Sequence, residues 1–272
     1  MVPVWTVVSG KGGVGKSTLC ASLAAGLARR GLRVVLLDMD TGLRNLDMLL
    51  HIENRVIFDL VDVVDGEADL AQALVADRQR PGLFLLSSSQ IHDAAAISRE
   101  DFEAVLRTLR ESFDHILIDC PSGIGHSFRL CTQAATDAIV VTTPDEIAMR
   151  DADRVLGLLR QREGIAAHLV VNRVRPDWVA ARAAYSPQVI AQTLDARLAG
   201  YLREDEEVLR CLIERRLLIE SDTVLWQEVD AILRRLLGER IPVPDIVPAE
   251  PRRGFWARLF GRLPSRQEED FD

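Results

Sequence analysis

The sequence predicts an α/β fold: a doubly wound, mostly parallel sheet with helices on both faces, finished by an amphipathic tail helix. Three observations carry this reading. Short, near-continuous apolar runs alternate with helix-like stretches, as strands buried on both faces must. A glycine-rich loop joins the first apolar run to the first helical pattern. Aspartates stand directly after two of the runs, where open α/β sheets place their ligand crevice. With 272 residues, 48% of them apolar, the chain can bury a sizeable core as one domain or two small ones.

The elements follow in order. Val4-Trp5-Thr6-Val7-Val8 reads as the first strand and residues 19–30 as the first helix. Later strands fall at Val34-Val35-Leu36-Leu37, Leu83-Phe84-Leu85-Leu86 and His115-Ile116-Leu117-Ile118. Two more fall at Ala138-Ile139-Val140-Val141 and His168-Leu169-Val170-Val171. Residues 195–202 give a candidate last strand. Helical periodicity marks residues 102–113, 151–162 and 206–216, and a final helix about 223–238 ends at a glycine. Four prolines within residues 240–251 then predict an extended, semi-rigid spacer with no packing core of its own.

Net charge is −8, which argues against a broad nucleic-acid footprint and predicts no specific nucleic-acid partner. Cys20, Cys120, Cys131 and Cys211 show neither a C-x-x-C pair nor metal-ligand spacing, so they read as reduced thiols of a cytoplasmic protein. No basic-then-apolar leader opens the chain and no apolar run approaches a membrane span of about 20 residues. The expectation is a chain neither secreted nor integral, with a peripheral membrane role open.

Of 33 basic residues only Lys11 and Lys16 are lysines, and both lie in Ser9-Gly10-Lys11-Gly12-Gly13-Val14-Gly15-Lys16-Ser17-Thr18. Elsewhere a positive charge is arginine, so these two positions need a compact ammonium on a flexible stem. Gly10-x-x-x-x-Gly15-Lys16-Ser17 between a strand and a helix is a P-loop. Its N–H groups, from Gly10 through Thr18, would face phosphate oxygens at a helix N-terminus. Lys16 would reach the β- and γ-phosphates of ATP, and Ser17 would ligate Mg²⁺. The fold is thus that of a P-loop NTPase. Lys11 points along the loop and cannot easily curl onto its own nucleotide, which makes a second subunit's phosphates the better target.

Asp38-Met39-Asp40 and Asp119 are the two acidic positions after strands. A carboxylate in either place can hold Mg²⁺, directly or through water, or orient the attacking water. An aspartate after an apolar strand, as at Asp119, is the Walker B arrangement. Spacing alone does not rank Asp38 against Asp40.

K-G-G-V-G-K-S resembles the deviant Walker A family of ATPases, and the likeness to its MinD branch covers nearly the whole chain. It includes residues 38–47, Ser88-Ser89-Gln90, Asp119-x-Pro121-x-Gly123, Arg150-Asp151-Ala152-Asp153-Arg154, residues 171–176 and Glu204-Asp205-Glu206. The resemblance implies that Lys11 crosses a dimer interface to the partner's nucleotide. It implies that Asp40 positions water, that Asp38 couples a switch to nucleotide state and counts among the metal residues, and that Asp119 serves magnesium. Asn172 would bond the adenine edge. Arg150, Asp151, Asp153 and Arg154 would meet a MinC-like inhibitor and a MinE-like activator. Two departures stand out. Arg203-Glu204-Asp205 replaces a Pro-x-Asp stretch at the base pocket, and Glu214-Arg215-Arg216-Leu217-Leu218-Ile219-Glu220 replaces a more glycine-rich segment with no assigned role.

The tail is the second diagnostic feature. Phe255, Trp256, Leu259, Phe260 and Leu263 share one helical face, with Arg252, Arg253, Arg258, Arg262 and Arg266 beside or opposite it. That pattern fits a helix lying in an anionic membrane surface, and it too resembles the MinD branch. Burying five large side chains releases roughly 7–12 kcal/mol at most. Ordering a dozen residues costs on the order of 10 kcal/mol. One tail is marginal, whereas two on an ATP-dependent homodimer multiply avidity ~10²–10⁴-fold. Four carboxylates in residues 267–272 oppose the arginines. The expected layout is an ATPase domain over 1–239, a linker over 240–251, a membrane-targeting helix over 252–266 and an acidic end over 267–272. The function expected is placement of the division septum from the cytoplasmic face of the inner membrane. The alternatives are a ParA- or flagellar-number-type positioning ATPase, and a nucleotide-gated scaffold with little hydrolysis.

Overall fold

The computed structural model describes residues 2–40, 45–88, 97–221 and 223–246. Among them, the sheet has eight strands: β1 (Val4–Val8), β2 (Val34–Asp38), β3 (Leu74–Ala76), β4 (Leu83–Leu86), β5 (His115–Asp119), β6 (Asp137–Thr142), β7 (Ala166–Val174) and β8 (Arg197–Arg203). The helices are α1 (Lys16–Arg29), α2 (Leu46–Leu50), α3 (Leu60–Val64), α4 (Leu70–Ala73), α5 (Arg99–Ser112) and α6 (His126–Ala134). They continue with α7 (Glu146–Arg160), α8 (Pro176–Ala180), α9 (Pro187–Thr193), α10 (Glu207–Ile213) and α11 (Val224–Leu236).

Strand order is β3-β4-β2-β5-β1-β6-β7-β8, with every pair parallel except β3–β4. Successive strand residues alternate between two cores, one on each face. Val4 and Val8 join Ile116, Ile118 and Val140 on one face, beneath α5, α6 and α7. Trp5 and Val7 join Leu36, Leu117 and Ile139 on the other, beneath α1 and α11. This is why the strands read as unbroken apolar runs instead of alternating ones. Helix α1 is buried almost throughout, and its Ala, Gly and Ser positions let α11 lie close.

The seven expected strands are all present. The three-residue antiparallel edge strand β3 was not expected, because so short a run carries no period. Helix α10 stops at Ile213, short of the expected 216, where the chain turns left-handed at Arg215 (φ 56°). Helix α11 starts with Thr223 accepting the Trp226 N–H at 3.4 Å, and a left-handed Gly238 follows it as expected.

The described part of the proline segment is extended, but it is fastened to the body. Arg235 donates from Nε to the Ile241 carbonyl (2.9 Å), from Nη1 to Ala199 (3.0 Å) and from Nη2 to Pro242 (2.8 Å). Val243 and Ile246 pack on the core. An extended chain interrupted by prolines has free carbonyl acceptors, and the planar guanidinium fork supplies donors to match. The expected membrane helix, with Arg252, Arg253, Phe255, Trp256, Arg258, Leu259, Phe260 and Leu263, lies outside the described residues. So do the acidic end, residues 41–44 and Ser89-Gln90. Among the described residues no helix is long and apolar enough to cross a membrane.

Candidate functional site

Strand β1 lies where the strand order changes direction, and the loop leaving it meets the carboxyl ends of β2, β5 and β6. Residues from these ends and from the P-loop line a cavity of about 690 Å³. Ser9, Gly12, Gly13, Gly15, Lys16, Ser17, Thr18 and Asp40 form one side. Met48, His51, Glu53, Leu212 and Arg215 form the other.

Two glycines show why the loop takes no side chain there. A Cβ on Gly10 would sit 2.6 Å from the Asp151 backbone, so the loop lies directly against α7. Gly15 caps α1 in the left-handed region (φ 92°), and a Cβ there would meet the Asn172 amide at 2.2 Å.

Lys16 is buried, and its Nζ lies 2.5 Å from Asp119 Oδ1 and 3.5 Å from Ser17 Oγ. Burial works to lower the ammonium's pKa; Asp119 outweighs it, and the net direction is upward. Burial also raises the Asp119 carboxyl, against the pull of Lys16. Asp119 Oδ2 is buried and has no hydrogen bond among the described residues. A buried acceptor without a partner is costly, so this oxygen suits a bound cation or its water. With the loop N–H groups and the Ser17 hydroxyl beside it, the residues present fit a magnesium nucleotide.

The structure separates the two aspartates that spacing could not rank. Asp38 is fully buried and pairs in register with Asp119 on the neighbouring strand. Its Oδ1 accepts the Asp40 N–H (2.9 Å) and its Oδ2 the Leu46 N–H (3.5 Å), so it braces both ends of the segment after β2. Burial, then the charge of Asp119, raises its pKa to about 7. Asp38 does not line the cavity, whereas Asp40 does. As a metal ligand, Asp38 would have to give up these N–H groups.

Lys11 sits at the loop's outer end. Its Nζ lies 3.2 Å from Asp145 Oδ1, with both side chains more than 40% exposed. Asp145 also accepts the Thr143 hydroxyl (2.5 Å) and caps α7 through the Ala148 N–H (3.0 Å). Burial works to raise its carboxyl pKa, but these donors and Lys11 hold it below the ordinary value. Sequence reasoning missed Asp145, although Thr142-Thr143-Pro144-Asp145 repeats the strand-then-acid signal of Asp119.

Asn172 faces the P-loop from β7. Its amide nitrogen donates to the Val14 carbonyl (2.7 Å) and its oxygen accepts the Arg173 N–H (2.9 Å). A second cavity of about 310 Å³ runs between Gly15, Thr18 and Asn172 on one side and Leu202, Arg203, Glu204 and Asp205 on the other. The expected base pocket and its departure from pattern therefore meet there. Adenine contact by Asn172 requires exchange of bonds it already makes.

Arg150, Asp151, Asp153 and Arg154 lie on α7, which packs against Gly10; Arg150, Asp153 and Arg154 are exposed and Asp151 is half-buried. None of the four forms an ion pair among the described residues. His51, Glu53, Arg173 and Arg215 complete the cavity; His51 and Glu53 carried no sequence signal, Arg173 and Arg215 fell in segments noted above but without a role of their own, and only folding brings residues 51–53 to residue 215. All four cysteines are buried and unpaired, and burial pushes the Cys20 and Cys131 thiols up, as structural thiols should behave.

A glycine loop holding a buried lysine against a strand-end aspartate, at the switch point of a parallel sheet, defines the class as a P-loop NTPase. The ParA family model, described as "NUBPL iron-transfer P-loop NTPase", matches residues 2–175. The chain is similar to the septum site-determining protein MinD of Helicobacter pylori, with 38% identity over 96% of this chain and 99% of that protein. It is similar also to MinD of Synechocystis, with 42% identity over 89% of this chain and 92% of that protein. A solved MinC:MinD cell division protein complex from Aquifex aeolicus contains a chain that superposes with a TM-score of 0.82 at 34% identity. That match covers 89% of this chain and 98% of the other. The chain belongs to the MinD branch of the ParA family of P-loop NTPases.

Proposed function

We propose that the protein is an ATPase of the Min system that dimerises on ATP, binds the cytoplasmic face of the inner membrane through its tail, and so helps place the division septum. The observation that carries this reading is the contrast between the two lysines. Lys16 is locked to a buried aspartate, while Lys11 is held by one exposed carboxylate and can leave it cheaply.

Lys16, held in place beside Asp119, offers its ammonium to the β- and γ-phosphates when nucleotide enters. Ser17 and Asp119 would hold magnesium, which would supply positive charge against that building on the phosphate oxygens. Asp40 orients the attacking water, and Asp38 ties the segment after β2 to that position through the Asp40 and Leu46 N–H groups. Lys11 leaves Asp145 for the nucleotide of a second copy. Because Asp145 caps α7 and Gly10 lies against it, the loop's state is passed to the helix bearing Arg150, Asp151, Asp153 and Arg154. On that face a MinC-like inhibitor would be recruited and a MinE-like activator would trigger release.

Liposome sedimentation with ATP, with ADP, and with a Lys11→Ala variant in ATP tests this. Binding is expected with ATP alone in the unaltered chain. Equal binding in all three conditions refutes the switch.

A further inference from the structure

The wall of the main cavity facing the P-loop is built from residues that no phosphate motif accounts for. Arg215, at the end of α10, and Glu53, in the turn after α2, meet there at 2.5 Å. The segment around Arg215 has no role assigned from the sequence.

Two features set Arg215 apart from an ordinary surface arginine. Its backbone is left-handed (φ 56°), a conformation that non-glycine residues avoid. Among the described residues, five non-glycine positions have positive φ, and three of them, His51, Arg173 and Arg215, line this one cavity. Such strain gathers where side chains must be aimed. The second feature is the ion pair. The Arg215 side chain is 59% exposed and that of Glu53 31%, so the pair resists opening by less than about tenfold. A guanidinium fork on a phosphate is worth about ten- to a hundredfold in affinity. A nucleotide phosphate chain in the cavity therefore outcompetes Glu53 for Arg215.

We propose that Arg215 is a nucleotide-binding residue that Glu53 holds aside until a nucleoside di- or triphosphate enters, whereupon it closes on the phosphate chain from the side opposite the P-loop. This rests on the reading of the cavity as a nucleotide site. Arg173, on another part of the wall, adds a third cation to the cavity beside Lys16 and Arg215.

The test is titration of the full chain with fluorescent ATP and ADP analogues. Arg215→Gly keeps the left-handed backbone, since glycine adopts it freely, and removes the guanidinium. It is expected to weaken binding about ten- to a hundredfold with the nucleotide-free melting temperature unchanged. Glu53→Gln releases Arg215 and is expected to tighten binding up to several-fold. The double variant should match Arg215→Gly. Unchanged affinity in either single variant, or weakening by Glu53→Gln, overturns the proposal in favour of a structural clasp. If the glycine variant loses its fold, the Glu53→Gln arm alone decides. An unaltered chain that binds no nucleotide overturns the underlying reading of the cavity, and this proposal with it.

Discussion

The inner and outer ends of the P-loop carry the same residue type in opposite surroundings. At the inner end, Lys16 and Asp119 are 7% and 0% exposed and lie 2.5 Å apart. At the outer end, Lys11 and Asp145 are 42% and 45% exposed and lie 3.2 Å apart. A buried pair is expensive to break, because removing one partner strands a charge away from water. An exposed pair between flexible chains contributes about 0–1 kcal/mol. One loop thus holds a lysine fixed in its own site and another free to be drawn elsewhere. The chain's use of arginine at every other basic position fits this, since a thin, rotatable ammonium serves both tasks and a planar fork serves neither.

The largest expected effect lies at the inner end. Lys16→Ala leaves Asp119 without its cation beside the equally buried Asp38. Chemical denaturation without nucleotide should show a loss of about 3 kcal/mol, together with loss of ATP turnover. A loss below about 1 kcal/mol would place the Lys16 pair in the same class as the outer one and remove the contrast.

The next effect sharpens the account of the inner end through pH. The Asp38 carboxyl titrates at about 7 in the folded chain, driven up by burial and by Asp119. In the unfolded chain it titrates near 4. Between those values the folded protein keeps a proton that the unfolded chain has lost, so stability falls as pH rises from about 4 to about 7. Asp38→Asn removes this penalty and still offers one acceptor to the Asp40 N–H. Thermal denaturation from pH 4 to 8 should show the variant gaining on the parent as pH rises, by up to about 4 kcal/mol at pH 8. Parallel profiles would mean that Asp38 is ionised throughout.

Much of this site was legible because its parts are local. Gly10 to Thr18, Asp38, Asp40 and Asp119 each sit in a motif a few residues long, directly after an apolar strand. The parallel sheet was legible because burial on both faces removes the polar alternation that would otherwise mark a strand. The illegible parts depend on distant pairing. Glu53 and Arg215 are 162 residues apart, and nothing near either announces the other. The edge strand β3 is too short to show a period. The docking of the proline segment needs Arg235, which in sequence is one arginine among many on an ordinary amphipathic helix.

The smallest effect is the most discriminating. Lys11→Ala and Asp145→Asn should each shift the nucleotide-free melting temperature by only a degree or two, since the pair they break is exposed. In ATP their effects should part. On the proposed reading, Lys11→Ala removes the group that would cross to the second copy, so sedimentation should find monomer. Asp145→Asn releases that group while its amide oxygen still accepts the Ala148 N–H that caps α7, so the dimer should form at least as readily as in the parent. Equal loss of the dimer in both variants would make the Lys11–Asp145 contact part of the assembled state. A weak hold on Lys11 would then be an incidental feature of the monomer and not the means by which one loop serves two sites.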